Sequence, residues 1–374
     1  MHILIMPAWY PSKDRPTNGS FFAEQAQALA RYGHTVSVAA LFNDLPSGLR
    51  IDKTNRGEAA EYAVHFKPLP LHLTYFRVLR AYIRLFRTEF KDRRPDILHV
   101  HSFKQIKYAR VLKRLYNIPL VVTEHVTWFE RGAFSPRQLE DIRRDYAAAD
   151  AIVAVSTGLA GQIRPYCGGK EIRVIPNLVN ESFFHGGLRS EPKGRFGFIS
   201  VGALEHKKGM DVLLRAFAGI AEQHPDVTLT ICGGGSEAEA LERLSRELGI
   251  SSSVTFTGPV SRQEVSRRLR ENQIFVLPSR TETFGVVYVE AMACGLPIVM
   301  TKTNAWEILA RPETGLAVEI DDVDALGQAM ESVMDRYGQY DPQRISALCA
   351  DSFSEKAICE KLTALYEETV SSER

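Results

Sequence analysis

The sequence of 374 residues predicts an α/β protein with two domains, each built on a parallel sheet with crossover helices. Short β-branched runs alternate with amphipathic stretches along the whole chain, which is the pattern of parallel strands joined by helices. The chain is also too long for one domain of ordinary size. Because 45% of the residues are apolar and 24% are charged, the composition is that of a soluble globular protein, and disordered and fibrous classes are excluded.

The N-terminal domain is predicted to span residues 1–185. Residues 21–29 carry apolar side chains at helical spacing, and Gly33 ends that helix. The first residues lack the basic region and cleavage site of a signal peptide, so we interpret them as the first strand. The predicted strands of this domain are residues 3–6, 35–41, 96–101, 120–125, 151–156 and 171–176.

The second domain is predicted to span residues 195–350. It follows a polar linker, residues 185–194, with three glycines and a proline. Residues 354–369 form one more amphipathic helix, and periodicity does not decide which domain it packs on. The predicted strands of the second domain are residues 196–201, 227–232, 254–257, 274–278, 297–301 and 316–320. Its predicted helices are residues 210–221 and 237–248.

Cysteine content and hydropathy bear on the compartment. The five cysteines are odd in number and show no metal-ligand spacing, so we interpret them as structural thiols of a reduced, cytoplasmic protein. No apolar run approaches the ~20 residues of a membrane span. The sequence therefore predicts a cytoplasmic protein without a transmembrane helix.

Two loops of the second domain have features suited to phosphate. In an open parallel sheet, ligands bind beyond the carboxyl ends of the strands. The loop after residue 232 contains three glycines starting at Gly233, and the loop after residue 201 contains Lys207 and Lys208. Glycines admit a close ligand, and a lysine beside a helix N-terminus suits a diphosphate. A tight turn and a solvated lysine pair are the alternatives.

Two carboxylates eight positions apart form the sharpest motif. Glu282 is followed by Thr-Phe-Gly, and Glu290 lies among apolar residues, where a carboxylate is costly unless a polar group bonds it. If the span is mostly helical, the carboxylates lie about 12 Å apart along the axis, the length of a nucleotide sugar from hexose to ribose. Residues 286–289 favour a strand by propensity, and Gly295 ends the element.

These motifs resemble the retaining GT-B glycosyltransferases of family 4, with Glu282 and Glu290 as the Glu-x7-Glu signature. The resemblance covers essentially the whole chain. It implies two Rossmann-like domains facing each other across a cleft, with residues 354–372 packing back on the first. It further implies transfer of a hexosyl group from a nucleotide-diphosphate sugar, most commonly a UDP-sugar, to a saccharide or lipid-linked acceptor in polysaccharide or glycoconjugate biosynthesis.

The resemblance also assigns roles to single residues. It implies that Glu282 hydrogen-bonds the donor sugar, that Glu290 binds the ribose, and that Lys208 neutralises the departing diphosphate. It places His125 at the sugar from the first domain, although a core or capping histidine is the alternative. The other donor-binding positions that it implies are Gly19, Gly233, Gly258, Val260, Thr283, Phe284 and Gly285.

One position departs from the family's pattern. The family usually has an arginine where this chain has Ala203, five positions before Lys208, and that arginine shares the charge of the diphosphate. The departure puts in doubt either the stabilisation of the leaving group or the roles assigned to this loop. The candidates for compensation are Lys207, Arg262 and Arg280.

No metal or cofactor is expected. The sequence has no DxD-like carboxylate pair in a predicted strand-end loop, and we interpret the acidic residues 321–324 as the start of a helix. Lys208 and a helix N-terminus would then take the place that Mg²⁺ has in other transferases. Since the family's retaining chemistry proceeds on one face of the sugar, no protein nucleophile is assigned.

The first half is basic, with 27 Lys and Arg against 17 Asp and Glu in residues 1–190. Its arginines at positions 77, 80, 84 and 87 share one face of a predicted helix, which is typical of peripheral binding to an anionic membrane, here the inner face of the membrane. A solvated helix face is the alternative.

Aromatic loops after predicted strands, with Trp9, Tyr10 and Trp128, are predicted to bind the acceptor.

Other functions remain as competing hypotheses. A UDP-sugar epimerase or a sugar phosphorylase shares the two-domain plan, and a nucleotide-sugar-binding protein without turnover is favoured by Ala203. The absence of GxGxxG argues against a nicotinamide dehydrogenase. No nucleic-acid-binding module is visible, so no nucleic acid partner is expected.

Overall fold

The computed structural model describes residues 1–15, 18–70, 73–132, 134–192 and 194–372. Within these residues the chain divides into two compact units. The first unit contains residues 1–155, 159–178 and 358–372. The second unit contains residues 156–158 and 179–357. Each unit has its own parallel sheet, so the predicted fold class is confirmed.

The sheet of the first unit contains strands that we number β1 to β8 along the chain. In the described residues they are ordered β3-β4-β2-β1-β5-β6-β7-β8, and only β3 runs antiparallel to its neighbour, β4. The hairpin of β3 and β4 is absent from the strands predicted above, because β3 is polar and largely exposed. The strands are His2–Pro7, Thr35–Phe42, Leu49–Arg56, Ala59–Phe66, Ile97–His101, Leu120–Glu124, Ala151–Ala154 and Ile172–Val174.

The sheet of the second unit is parallel throughout its described strands, β9 to β14, in the order β11-β10-β9-β12-β13-β14. Strand β9 pairs with β10 on one side and β12 on the other. The strand order reverses between β9 and β12, and such a switch point opens a crevice at the carboxyl ends of the strands. The strands are Phe196–Val201, Val227–Cys232, Val254–Phe256, Ile274–Leu277, Ile298–Thr301 and Gly315–Val318.

Helices α1 to α15 connect and cover these strands. Several begin with a side-chain cap: Asp322 accepts a hydrogen bond from the Ala325 N–H, which confirms the interpretation of residues 321–324 as a helix start. The helices are Ser20–Arg31, Leu73–Thr88, Phe103–Tyr116, Trp128–Arg131, Pro136–Ala147, Thr157–Ile163, Ser182–His185, Met210–Gln223, Ala238–Glu247, Arg262–Glu271, Val286–Ala293, Trp306–Leu309, Val323–Asp335, Pro342–Phe353 and Glu355–Ser372.

The motif helix α11 covers Val286–Ala293, so the helical interpretation of its β-branched residues is right. Burial of every residue from Tyr288 to the end of the helix outweighs the intrinsic preference for a strand. The helix begins only after Glu282, however, and the premise of a continuous helix between the two carboxylates is wrong. The expected separation of about 12 Å along one axis therefore does not apply.

The final helix, α15, packs into the core of the first unit from residue 358 onward. Its buried side chains Ile358, Leu362 and Tyr366 belong to the same apolar cluster as Ile3 of β1. The Tyr366 hydroxyl lies 2.7 Å from Nδ1 of His99 on β5. A buried polar contact between α15 and the sheet thus fixes the position of this helix.

The segment predicted as a linker packs onto the second unit. Buried Arg189 donates hydrogen bonds to the carbonyl oxygens of Gly295, at 2.8 Å, and Tyr340, at 2.6 Å. Lys193, which also falls in this segment, lies outside the described residues. Arg189 therefore ties residues 187–192 to the end of α11.

Candidate functional site

The loop after β9 places Lys208 directly before α8. A short 3-10 turn, His206–Lys208, ends at Gly209, whose φ of 64° starts the helix. A Cβ atom at Gly209 would lie 2.1 Å from the carbonyl oxygen of Pro278, which follows β12. Only glycine permits this approach, so the loops after β9 and β12 meet at the switch point of the sheet.

The loop after β12 holds Glu282 in front of α11. Phe284 is fully buried and its ring contacts the Phe353 ring, so this side chain serves the packing of the loop. The Thr283 carbonyl accepts a hydrogen bond of 2.6 Å from Ser156 Oγ. Gly285 starts α11 with a φ of 80°. These contacts fix the main chain beside Glu282, at the N-terminus of a helix.

Lys208 and Glu282 form an ion pair at the switch point. Lys208 Nζ donates a hydrogen bond to Glu282 Oε2, and each side chain is 15% exposed. The two residues are 74 positions apart, and the sequence analysis assigned each a role without predicting their contact. The pair puts an ammonium group and a carboxylate side by side where an open parallel sheet binds its ligand.

A second ion pair joins Glu290 to Arg262. Arg262 Nη2 lies 2.5 Å from Glu290 Oε1, and the Glu290 side chain is only 6% exposed. Burial raises the pKa of Glu290, whereas the guanidinium of Arg262 opposes that rise. The sequence predicted that a polar group must bond Glu290, and the structure identifies it as the first residue of α10. Nothing in the spacing of 28 positions identified this partner.

The glycines of the second unit pack three strand-end loops against one another. Gly233 has a φ of 147°, and its Cβ would lie 1.9 Å from the carbonyl oxygen of Gly202. The N–H of Gly233 donates to the carbonyl of Gly258 over 3.0 Å. Gly258 has a φ of 69° and, like Val260 in the same loop, is half-buried. Close packing of the main chain therefore explains why glycine is required at position 233, independently of any ligand.

Two of the three candidates to compensate for Ala203 are engaged by other groups. Arg280 binds both carboxylate oxygens of Asp211, at 2.9 and 2.8 Å, and also Asp321 at 2.6 Å. Lys207 is exposed and pairs with Glu205 at 2.7 Å. Arg262 is the candidate that contacts a predicted donor-binding residue. The loop sequence alone did not distinguish the three, because their partners come from distant segments.

In the first unit, His125 follows β6 and is buried. Its Nε2 lies 2.9 Å from Nδ1 of His101, the last residue of β5. The rings of Phe21 and Phe22 pack against it, with centroids at 5.4 and 4.9 Å. Burial lowers the pKa of His125 to about 3, so the ring is neutral at physiological pH. His101 was missed by the sequence analysis.

The loop after β1 contains Trp9, Tyr10 and Gly19. The ring of Trp9 contacts Phe22, and a Cβ at Gly19 would lie 2.8 Å from the Trp9 carbonyl oxygen. The Tyr10 hydroxyl donates a hydrogen bond of 2.6 Å to Glu61 of β4, and its ring is buried. Tyr10 therefore serves the packing of this loop, while Trp9 is half-buried.

Trp128 and the basic helix α2 present exposed surface on the first unit. Trp128 is 45% exposed, and Lys104 Nζ lies 3.7 Å from its ring centroid. On α2, Leu73 and Phe76 are more than half exposed, and they line an apolar groove of about 400 Å³. The exposed arginines of this helix are Arg80, Arg84 and Arg87.

Two further features are absent from the described residues. No described helix is both long enough and apolar enough to cross a bilayer. In the same part of the chain, no three His, Cys, Asp or Glu side chains lie together as a metal site would require. All five cysteines are buried thiols.

Comparison with known proteins identifies the family. The model of "Glycosyltransferase Family 4" matches residues 19–183, and that of "Glycosyl transferases group 1" matches residues 189–346. D-inositol 3-phosphate glycosyltransferase of Corynebacterium jeikeium is 31% identical over 313 residues, which are 73% of this chain and 72% of that protein. The chain belongs to the family 4 glycosyltransferases. The resemblance drawn from Glu282 and Glu290 is confirmed.

Other proteins similar to this chain differ in what their printed names say they do. Glycogen synthase of Mycobacterium tuberculosis (strain CDC 1551 / Oshkosh) is 30% identical over 252 residues, which are 65% of this chain and 61% of the synthase. The chain thus spans less than two thirds of that protein's length. Among solved structures, sucrose-phosphate synthase from Thermosynechococcus elongatus has a TM-score of 0.80 at 19% identity, with both chains fully covered. Anabaena HepE in complex with UDP-glucose has a TM-score of 0.71 at 17% identity, again with full coverage.

These structural neighbours share the fold of this chain. At such low identity the likeness concerns architecture, and it agrees with the two Rossmann-like domains that the family resemblance implied. Family membership and fold leave the donor, the acceptor and the stereochemical course to be argued from the site itself.

Proposed function

We propose that this protein is a retaining, metal-independent glycosyltransferase. It would move a hexosyl group from a nucleotide-diphosphate sugar, preferably a UDP-sugar, to a saccharide or lipid-linked acceptor in the cytoplasm, in polysaccharide or glycoconjugate biosynthesis. The observation that carries this proposal is the ion pair of Lys208 and Glu282 at the switch point between β9 and β12. Such a crevice is where sheets of this kind bind nucleotides.

The chemistry of sugar transfer explains why these groups would lie together. Cleavage of the bond between sugar and diphosphate leaves negative charge on the phosphate oxygens and positive character on the sugar. Lys208 and the N–H groups at the N-terminus of α11 would stabilise the phosphate charge. Groups that are already oriented toward a developing charge commonly contribute more to catalysis than any other single effect.

The two carboxylates would hold the ends of the donor. Glu282 accepts hydrogen bonds from sugar hydroxyls, and Glu290, paired with Arg262, accepts them from the ribose. Phe284 and Gly285 contribute their main-chain N–H groups, and the loop of Gly258 and Val260 meets the base. For His125, which is a neutral imidazole in the first unit, the role at the sugar rests on the family resemblance alone.

Relatives with nucleotides in their printed names support a nucleotide-sugar donor. HepE of Anabaena was solved with UDP and with UDP-glucose. A relative from Mycolicibacterium smegmatis is named a GDP-mannose-dependent mannosyltransferase and matches this chain over 174 residues at 32% identity. Because these donors differ in base and sugar, the choice of UDP rests on its frequency among relatives and needs a direct test.

A thermal-shift panel with UDP-, GDP-, ADP- and dTDP-sugars tests the donor. We expect one nucleotide series to raise the melting temperature, because a ligand at a hundred times its Kd stabilises the native state by about 2.7 kcal/mol. The same donor should then support transfer of labelled sugar to an acceptor. A protein that binds the donor but neither transfers nor hydrolyses it would be a nucleotide-sugar-binding protein, and the proposed activity would be wrong.

Chelation tests the metal-independent mechanism. Because Lys208 and the N-terminus of α11 would supply the counter-charge of the diphosphate, we expect transfer in excess EDTA to stay within about twofold of the untreated rate. Initial rates with and without added Mg²⁺ or Mn²⁺ provide the measurement. A strict requirement for either cation would show that a metal ion, and not Lys208 alone, stabilises the leaving group.

Helix α2 supports peripheral association with the inner face of the membrane. The exposed Leu73 and Phe76 adjoin a row of arginines. In the described part of the chain, Arg80, Arg84 and Arg87 have no carboxylate partner. An apolar edge beside unneutralised arginines is the surface that binds anionic lipid.

Vesicle sedimentation tests this surface. We expect binding to vesicles with anionic lipid at low salt, weakened roughly hundredfold in the triple variant Arg80→Gln, Arg84→Gln and Arg87→Gln, because each basic residue contributes about 1 kcal/mol near such a surface. The matched control replaces three exposed arginines of the second unit, Arg215, Arg243 and Arg246, in the same way. Equal loss in both variants, or no binding at low salt, would contradict a membrane-binding role for α2.

A further inference from the structure

A pocket of about 320 Å³ lies beside the carboxyl ends of β5 and β6 in the first unit. Helix α3 begins at Phe103, just after β5, and α4 begins at Trp128, in the loop after β6. The two strands are parallel neighbours, so both loops lie at the edge where an open parallel sheet binds its ligands. Since small-molecule sites have volumes from about 300 to 1,000 Å³, this pocket is large enough for one sugar ring.

Aromatic rings form one wall of the pocket. Trp128 and Phe134 each pack against Phe103, with ring centroids 6.1 and 5.9 Å apart. Trp128 is 45% exposed, so part of its ring is open to a ligand. An open aromatic ring beside a few polar groups suits a sugar, which has apolar C–H groups as well as hydroxyls.

The pocket carries two lysines whose charge is not neutralised. In the described residues, neither Lys104 nor Lys107 forms an ion pair. The carboxylates that line the pocket, Asp141 and Asp145, each pair with an arginine instead. Two ammonium groups without counter-charge at one pocket attract an anionic ligand.

Lys104 lies in an environment that an anion would improve. Its Nζ is 3.7 Å from the centroid of the Trp128 ring, and the residue is half-buried. Burial lowers the pKa of Lys104, whereas the negative charge of Glu124 opposes that change. The Glu124 carboxylate is occupied, because it accepts three main-chain N–H groups and the Tyr146 hydroxyl. The aromatic ring is a weaker partner for an ammonium group than a phosphate or carboxylate would be.

We propose that this pocket binds the acceptor, and that the acceptor is a sugar with a phosphate or carboxylate group. The sugar ring lies on Trp128, and its anionic group bonds the ammonium groups of Lys104 and Lys107. A free sugar phosphate, a uronic acid and a phosphate-linked lipid saccharide share this chemistry. The inference rests on the proposed function, because only a transferase has an acceptor. It adds the charge of that acceptor, which family membership leaves open.

NMR of the indole N–H groups tests binding without reference to activity. The chain has three tryptophans, and the Trp128 signal is identified by its loss in Trp128→Phe. We expect glucose 6-phosphate, glucose 1-phosphate or glucuronate to shift this signal with a Kd at least roughly tenfold below that of glucose, since one charge-assisted hydrogen bond contributes at least that factor. If no charged sugar binds more tightly than glucose, or if inorganic phosphate binds as tightly as the sugar phosphates, the proposal is wrong.

Two lysine variants test the charge. Lys104→Gln and Lys107→Gln should each weaken binding of the charged sugar about tenfold and leave that of glucose unchanged, whereas Lys104→Arg should keep most of the preference. Lys302→Gln is the matched control, because Lys302 also lies over a tryptophan, 5.7 Å from the Trp306 ring centroid, but pairs with Glu319. Equal losses for glucose and for the charged sugar in Lys104→Gln would contradict the role of its charge.

A soluble lipid distinguishes a sugar site from a headgroup site. Water-soluble, short-chain phosphatidylglycerol carries the phosphate without the sugar ring, and we expect it to bind at least roughly tenfold more weakly than the charged sugar, because it lacks the ring that contacts Trp128. Binding as tight as that of the sugar phosphate would assign the pocket to lipid headgroups and contradict the proposal.

Transfer assays test the assignment to the acceptor. We expect the charged sugar that binds best to accept labelled sugar or to compete with the acceptor, and Lys104→Gln to raise its KM or inhibition constant roughly tenfold with the donor KM unchanged. A sugar that binds but neither accepts nor competes would overturn the assignment. If the wild-type protein transfers no sugar, the proposed function fails, while the NMR titration still decides whether the pocket takes an anionic sugar.

Discussion

Glu282→Gln should bind free nucleoside diphosphate more tightly than the wild-type protein and yet transfer sugar at least roughly a hundredfold more slowly. In the structure the carboxylate of Glu282 takes up the charge of Lys208. The neutral amide would release the ammonium group for the diphosphate, while a weaker acceptor would face the sugar hydroxyls. Calorimetry with the nucleoside diphosphate, and initial rates of transfer, measure the two effects separately.

The opposite directions of the two effects make this variant informative. Glu319→Gln is the matched control, since Glu319 pairs with Lys302 in the same unit but is 67% exposed, and we expect both quantities to stay within about twofold. Normal transfer by Glu282→Gln would contradict its role at the donor sugar. Weaker binding of the nucleotide would contradict an exchange of partners by Lys208.

Lys208→Ala is expected to weaken both nucleotide binding and sugar transfer. Without the ammonium group the diphosphate loses its main counter-charge, and Glu282 is left half-buried without a partner beside the phosphates. Nucleotide binding should weaken, and transfer should fall roughly a thousandfold, the range seen when one preorganised donor is removed. Calorimetric affinity and kcat/KM provide the measurements, and Lys302→Ala is the control.

The double variant Lys208→Ala with Glu282→Gln distinguishes the loss of the ammonium group from repulsion between the unpaired Glu282 carboxylate and the diphosphate. If part of the loss in Lys208→Ala comes from the unpaired carboxylate, the second change should restore nucleotide binding but not transfer. Strictly additive losses in affinity would mean that the two residues act independently. Unchanged affinity in Lys208→Ala would remove Lys208 from the diphosphate site altogether.

The sequence predicted the fold class because local patterns encode it. Alternating β-branched runs and amphipathic helices define parallel sheets almost by themselves. The hairpin of β3 and β4 escaped prediction since Leu49–Arg56 is polar and mostly exposed, and its pairing with β4 compensates for a weak pattern. The helix at Val286–Ala293 forms against its propensity because it is buried from Tyr288 onward, which local sequence shows only indirectly.

The site was harder to predict than the fold. The resemblance to family 4 pointed to Lys208, Glu282 and Glu290, but the partners that fix their charge lie 74 and 28 positions away. The bond from His101 to His125 spans 24 positions, and no motif marks it. Pairs of this kind depend on which strand ends are neighbours in the sheet, and that order is not written in the spacing of the residues.

Helix α15 affects how the first unit folds during translation. The first unit obtains Ile358, Leu362 and Tyr366 from the last residues of the chain. Its core therefore stays incomplete on the ribosome until residues 358–372 have been synthesised, whereas N-terminal domains commonly fold as soon as they emerge. An apolar surface of the first unit therefore stays exposed while about 180 further residues are synthesised, which takes roughly ten to forty seconds at ordinary elongation rates. In a gene fragment ending at residue 185, this surface would remain exposed.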